Sequence, residues 1–182
     1  MIFEPPNDLE RNLPVKSILY APIVAAALAA PLAASAATAP APLDEQWLQT
    51  SISGDRFEIS GGKIALQRST DPAVQKLAKR LIADHAKSLR EATSAARQFG
   101  VSVPPAPTPS MQWELHILRT LPAAQFNAEY AGLEVKDHNQ DIEETGMEAR
   151  KGQTVRIKQL ARTDLPMLRM HLSMSRRAAN SA

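Results

Sequence analysis

Three histidines occupy positions where a helical core residue belongs, and they are the residues best able to do chemistry in this chain. His85 stands four residues from both Leu81 and Leu89. At 100° per residue, His138 shares a helical face with Ala131, Val135, Ile142 and Thr145, and His171 shares one with Leu160, Met167, Leu168 and Met174. Glu58 lies on a stripe of small residues, Ser51, Gly54, Gly61 and Ala65, where a neighbouring helix can approach closely. A half-buried imidazole needs hydrogen-bond partners, so such a cluster has two uses. It can fix the register of packed helices as a polar layer, or it can hold zinc, copper or iron. Met167, His171 and Met174, at i, i+4 and i+7, make a softer donor set suited to cuprous copper, although methionine is commoner as core filler.

Other chemistry finds little support. The residues three before His85, His138 and His171 are Ile82, Val135 and Leu168, so no Glu-x-x-His pair exists for di-iron oxygen chemistry. Asp84 and Asp137 precede two of the histidines and point about 100° away from them. They are expected to contact a neighbouring helix, or Arg80, rather than to act as catalytic bases. His116 is isolated and receives no role. The chain has no cysteine, which removes thiolate metal sites, cysteine nucleophiles and disulfides, and its seven glycines form no phosphate-binding loop. A non-enzymatic protein is the expectation.

Helices must position these residues. Leu48, Ile52, Ile59 and Leu66 make an amphipathic seam that predicts a helix from about Asp44 to Ser69. Asp71-Pro72 supplies an N-cap and a first-turn proline for a second helix to Phe99, burying Val74, Leu77, Ala78, Leu81, Ile82, Leu89 and Ala92 before Gly100 stops it. Residues 100–109 then form a stiff, Pro-rich crossover. Residues 110–119 present Met111, Leu115 and Leu118 as a short helix, and Pro122 opens a third long helix to about Arg150. Gly152 separates it from a fourth, through Ile157, Leu160, Met167, Leu168 and Met174. Nothing alternates as a strand, so the prediction is an all-α, up-down four-helix bundle with a short extra helix in the crossover between helices two and three. Counting ~1.5 Å per residue from the turns puts Glu58 within about one helical turn of His85, His85 level with His138, and His171 offset by about 6 Å.

The 182 residues hold 21 Lys and Arg against 19 Asp and Glu, too even a balance for a nucleic-acid footprint. The charges alternate along the chain: residues 120–150 carry seven acidic and two basic residues, and residues 151–182 carry one acidic and seven basic. Opposite signs on antiparallel neighbours would complement each other. The N-terminus reads as an export signal, with Lys16, an apolar run broken by Pro22 and Pro31, and a small-residue Ala34-Ser35-Ala36 cleavage site. The expected organisation is a signal peptide over 1–36, a flexible Ala/Pro-rich segment over 37–43, the helical domain over 44–178 and a tail over 179–182. No membrane-spanning segment is expected in the mature chain.

The succession FEISGGKIALQRSTDPAVQKLAKRLIADHAKSL, VSVPP, FNAEYAGLEVKDHNQDI and LPMLRMHLSM resembles a family of exported ferritin-like bundles called domain of unknown function 4142, often labelled putative outer membrane protein. The likeness runs from about Glu45 to Met174. Its signature falls on Asp84-His85, on Asp137-His138 and on Leu165-Pro166 with His171-Leu172. The resemblance implies a closed, ferritin-like four-helix bundle in the bacterial envelope, and it brings no activity with it. Glu134 and Lys136 depart from the family, which tends to be apolar there, and this implies looser burial of that face.

Two functions follow as expectations. The leading one is an exported, periplasmic or envelope-associated bundle that binds an envelope protein or itself. The alternative is a metal-binding bundle using Glu58, His85, His138 and His171, with Met167 and Met174 as secondary ligands, and zinc, copper or iron as the ion.

Overall fold

The structure is a computed structural model that describes residues 1–2 and 39–181. The expected export segment, residues 1–36, lies outside the described residues apart from its first two. Five helices follow in order: α1 (Pro42–Arg68), α2 (Pro72–Gln98), α3 (Pro109–Thr120), α4 (Ala123–Lys151) and α5 (Val155–Ala179). All regular structure among the described residues is helical, and none of these helices is long and apolar enough to cross a membrane.

Local chemistry sets the boundaries. Proline opens α1, α2 and α3, where its missing N–H costs nothing. The Asp71 carboxylate accepts from the Ala73 and Val74 N–H groups at 2.8 and 3.0 Å, and the Thr108 hydroxyl accepts from Met111 N–H at 3.3 Å. Gly100 ends α2 in the left-handed region, φ +68°, letting Val101 N–H reach the Ala96 carbonyl at 2.8 Å. Pro166 lies inside α5 on its exposed side, where water can serve the carbonyl it leaves free.

Helix α1 packs on α2 and α4, and α5 packs on the same two, so the long helices form a ring of four neighbours. Their core is split into two apolar clusters. One is built around Trp47, Leu48, Ile52, Ala92, Ile157 and Leu160; the other around Phe57, Leu77, Leu81, Phe126, Tyr130 and Ala178. This split reveals direction. Helices α1 and α5 run from the first cluster to the second, whereas α2 and α4 both run from the second to the first. The simple up-down order expected from the sequence is therefore corrected. Residues 100–108 do not turn the chain back at one end; with α3 they travel down α1. Along the way Gln49 donates to the Ser102 carbonyl at 3.5 Å and Arg56 to the Pro104 carbonyl at 3.0 Å, while Arg68 reaches the end of α3. Every neighbouring pair in the ring is thus antiparallel.

Several core assignments shift with the real packing. In α1 the buried apolar side chains are Trp47, Leu48, Ile52, Phe57, Ile64 and Ala65, while Ile59 and Leu66 are half-buried. In α2, Ile82 and Leu89 are half-buried and Ala95 and Ala96 complete the core. Val135, Ile142, Met167 and Met174 are also only half-buried. The close helix approach falls at Gly62, where a Cβ would stand 2.8 Å from Ile82 Cγ1 and 3.1 Å from the Ala78 carbonyl; at Gly54 it would meet nothing within 4 Å. The charge pattern is corrected too. Oppositely charged α4 and α5 are neighbours, but so are basic α2 and α5, and acidic α1 and α4. Among the described residues the two Lys or Arg bridges to carboxylates lie within single helices.

Two charged side chains tie the ends together. Asp44 accepts from the Gln153 and Thr154 N–H groups at the start of α5, at 3.1 and 2.5 Å. Arg68 donates to the carbonyls of Leu118 at 2.8 Å, Arg119 at 2.5 Å and Leu121, and its guanidinium sits 4.9 Å over the Phe126 ring. Arg68 thereby closes the C-terminal end of α3. Arg68→Ala is expected to lower stability by about 2 kcal/mol, the scale of lost charge-assisted hydrogen bonds. Urea titration checks it as a lower midpoint at unchanged slope.

Candidate metal centre

Between the two apolar clusters lies a polar layer. Its deepest members are Glu58, His138 and His171, all 0% exposed, with Glu134 at 1% and His85 at 3%. Periodicity explains why they are here. On α2, His85 stands one turn beyond Leu81; on α4, Glu134, His138 and Thr145 continue the stripe that begins at Tyr130 and Ala131; on α5, His171 follows Leu168. Trp47 roofs the layer, its indole N–H donating to the Thr145 hydroxyl at 3.3 Å.

The three imidazoles converge. Ring centroids are 5.9 Å apart for His85 and His138, 5.2 Å for His85 and His171, and 5.2 Å for His138 and His171. One potential ligand atom from each lies within 4.8 Å of the other two. Each ring is also held from behind. His138 Nδ1–H donates to the Glu134 carbonyl at 2.9 Å, which fixes its tautomer because a carbonyl can only accept. His85 Nδ1 bonds to Asp55 Oδ1, and His171 Nε2 bonds to Asp84 Oδ2, both at 2.8 Å. Arg80 holds the Asp84 carboxylate in turn at 2.5 Å. The opposite nitrogens, His85 Nε2, His138 Nε2 and His171 Nδ1, are buried without a partner. An outer partner on one nitrogen and an unpartnered nitrogen opposite is the arrangement in which histidine binds metal.

Glu58 does not join all three histidines. It groups instead with Glu134 and His138, again with one potential ligand atom from each within 4.8 Å of the others. Both Glu58 carboxylate oxygens, Glu134 Oε2, Asp137 Oδ2 and the Tyr130 hydroxyl are buried there without partners. The secondary candidates separate as well: Met174 packs on the Phe57 cluster, while Met167 lines a cavity of about 30 Å³ with Asp55, His85, Asp141 and Asp164. That cavity shares Ser88, Asp164 and Met167 with a groove of about 150 Å³ between α2 and α5, so the layer has a route towards the surface. His116 lies exposed on α3, stacked 5.4 Å from Trp113.

Burial decides the protonation states. Desolvation pushes His85 down to about 4 against the pull of Asp137 and Asp84, and His171 to about 4, helped by His85. Desolvation, then His85 and His171, push His138 to about 3. All three are neutral donors at neutral pH. The acids move the other way: desolvation raises Glu134 to about 8, and desolvation with the Glu134 and Asp137 charges raises Glu58 well above the carboxylate range. Burial also raises Asp55 strongly.

Three side chains of the candidate site escaped the sequence reading. Glu58 was the one core-facing carboxylate expected in the first helix, yet Asp55 is buried beside it and positions His85. Its spacing of three from both Ile52 and Glu58 was the available signal. Glu134, expected on a loosely buried face, is buried, and its i, i+4 relation to His138 could have marked it. Asp84 touches both expected partners, Arg80 and a neighbouring helix, but its role as the support of His171 was not foreseen.

Comparison with known proteins adds fold and family. The family model described as "Domain of unknown function (DUF4142)" matches residues 29–178. The crystal structure of a DUF305 fragment from Deinococcus radiodurans is similar with a TM-score of 0.69 at 17% identity, covering 79% of this chain and 99% of that one. At that identity the likeness concerns the fold alone. No curated protein matches the chain.

Proposed function

The chain belongs to the DUF4142 family, and we propose that it is an exported, ferritin-like four-helix protein of the cell envelope that binds a transition-metal ion through His85, His138 and His171. One observation carries the reading: three buried, neutral imidazoles from three helices each have one nitrogen fixed and the other left without a partner. A layer that served only helix register would be expected to satisfy itself, because an unpartnered buried polar atom costs about 1–3 kcal/mol. Three imidazole donors suit Zn²⁺, Cu²⁺ or Fe²⁺. Cuprous copper loses its support, since Met174 packs in the Phe57 cluster. Export rests on the Lys16 to Ala36 pattern.

The test is metal content together with thermal stability. Residues 37–182, purified and stripped with chelator, should take up one Zn²⁺ or Co²⁺ per chain. At a free concentration 100 times the dissociation constant, binding should add about 2.7 kcal/mol of stability. Melting unmoved by Zn²⁺, Co²⁺, Cu²⁺ and Fe²⁺ sinks the metal reading in favour of a register layer.

The partner-binding reading keeps one observation of its own. Trp113 and Ile117, at i and i+4 on α3, are 63% and 41% exposed. Crosslinking in cells that recovers no envelope protein and no second copy would remove it.

A further inference from the structure

The packing of α1 against α4 poses a charge problem that the histidine triad does not solve. Both helices are acidic, and they bring Glu58, Glu134 and Asp137 to one buried place. No Lys or Arg bonds to any of the three among the described residues. Four buried oxygens there, both of Glu58, Oε2 of Glu134 and Oδ2 of Asp137, have no hydrogen-bond partner, and neither has the Tyr130 hydroxyl. Tyr130, Glu134 and His138 follow one another at i, i+4 and i+8 on one face of α4, so the cluster is built into the helix repeat. Gly61 of α1 faces the cluster: a Cβ there would stand 3.8 Å from Glu134 Oε1 and 3.9 Å from the Tyr130 ring, in ordinary contact with both.

We infer that this is a second cation subsite, in which Glu58 and Glu134 hold an oxygen-preferring divalent ion beside the ion at the histidine triad, with the Tyr130 hydroxyl as a further oxygen donor. The inference rests on the histidine reading and deepens it into a two-ion centre. His138 has a single free nitrogen, so once the imidazole ion takes it the neighbouring ion is held by oxygen alone. Carboxylate and hydroxyl donors favour Mn²⁺ and similar hard ions, in contrast to the imidazole set. A divalent ion supplies the positive charge that the α1 and α4 interface lacks. The rival arrangement is a proton shared between Glu58 and Glu134, which would need no ion.

The two are separated by loading residues 37–182 with one equivalent of Zn²⁺ and titrating with Mn²⁺. The free-ion Mn²⁺ paramagnetic resonance signal and the metal content after desalting are then read. Wild type is expected to retain one Zn²⁺ and one Mn²⁺ per chain. Glu58→Gln and Glu134→Gln, which keep shape and hydrogen-bonding capacity, are each expected to weaken Mn²⁺ binding at least about 100-fold while retaining Zn²⁺. Wild type that holds Zn²⁺ and leaves the Mn²⁺ signal undiminished overturns the second subsite alone and favours the shared proton. So do glutamine variants that bind Mn²⁺ as wild type does. Wild type that retains neither ion overturns the histidine centre and the second subsite together.

Discussion

His138→Ala should abolish metal uptake at the imidazole triad, weakening Co²⁺ or Zn²⁺ binding by well over 100-fold. The size follows from the site's construction. Three nitrogens are the whole imidazole donor set, and His138 is the ring held by backbone, its Nδ1–H donating to the Glu134 carbonyl four residues earlier. Removing an outer partner alone costs roughly 10–100-fold in affinity. Asp84→Asn and Asp55→Asn should therefore fall in that lower range, because they loosen His171 and His85 without deleting a donor. His116→Ala is the control, since its ring lies on the surface of α3 and should leave affinity unchanged. Co²⁺ absorbance and calorimetry give the order: His138→Ala far weaker, Asp84→Asn intermediate, His116→Ala unchanged. Equal behaviour of all four proteins would refute the assignment.

The stability of the metal-free His138→Ala protein is a separate readout. Truncating a buried ring leaves a cavity, which alone costs a few kcal/mol. The deletion also removes an unpartnered buried nitrogen, which offsets part of that cost. A loss of metal binding larger than the loss of fold stability is the pattern that separates a ligand from a structural residue.

How much of this was legible depends on what periodicity can encode. Spacing places a residue on a face, so the burial of His85, His138 and His171 and the helix limits at Pro72, Gly100 and Pro122 could be read from one sequence. Spacing says nothing about which neighbour that face meets. Asp84 points about 100° from His85, and only the adjacency of α2 and α5 turns that angle into a bond to His171. Direction was lost at the prolines. Nine extended residues, 100–108, reach about 30 Å at ~3.3 Å each, most of the ~40 Å length of α1. The same segment can therefore turn at one end or cross to the other, and Arg56 and Arg68, which tie it along α1, carry no local signature of doing so. Glu134 was hidden for another reason. A glutamate in a helix is ordinarily a solvated residue, and only the convergence of Glu58, Tyr130 and His138 makes a buried one intelligible.

The metal-free protein should lose stability as pH rises from 6.5 to 8, and bound metal should reverse that slope. Two sets of groups act in opposite senses. The histidines titrate at about 3 to 4 when folded, below the ordinary 6.5, so the unfolded chain binds more protons between those values. Their contribution therefore rises with pH and levels off above about 7.5, once the unfolded histidines have lost their protons. The buried acids have raised folded values: about 8 for Glu134, about 7 for Asp164 and Glu148, and upward for Glu58, Asp55 and Asp141. The folded state keeps protons that the unfolded chain sheds above about pH 4.5, so their contribution is present in acid and is lost as pH climbs through 7 to 8. Below about 7.5 the two sets oppose each other, but from 6.5 upward the unfolded histidines have less than half their protons left to lose, so the acids prevail. Glu134 by itself accounts for a decline on the order of 2 kcal/mol between pH 6.5 and 8. Metal inverts the sign because it requires carboxylates without protons and imidazoles with free lone pairs, so binding releases protons and tightens as pH rises. Urea unfolding at pH 6.5 and 8, with chelator or with saturating Zn²⁺ and Mn²⁺, should give slopes of opposite sign. A metal-free stability that is flat or rises over this range would mean that the acids of the layer are ionised in the fold, with a counter-charge other than the one assigned to them.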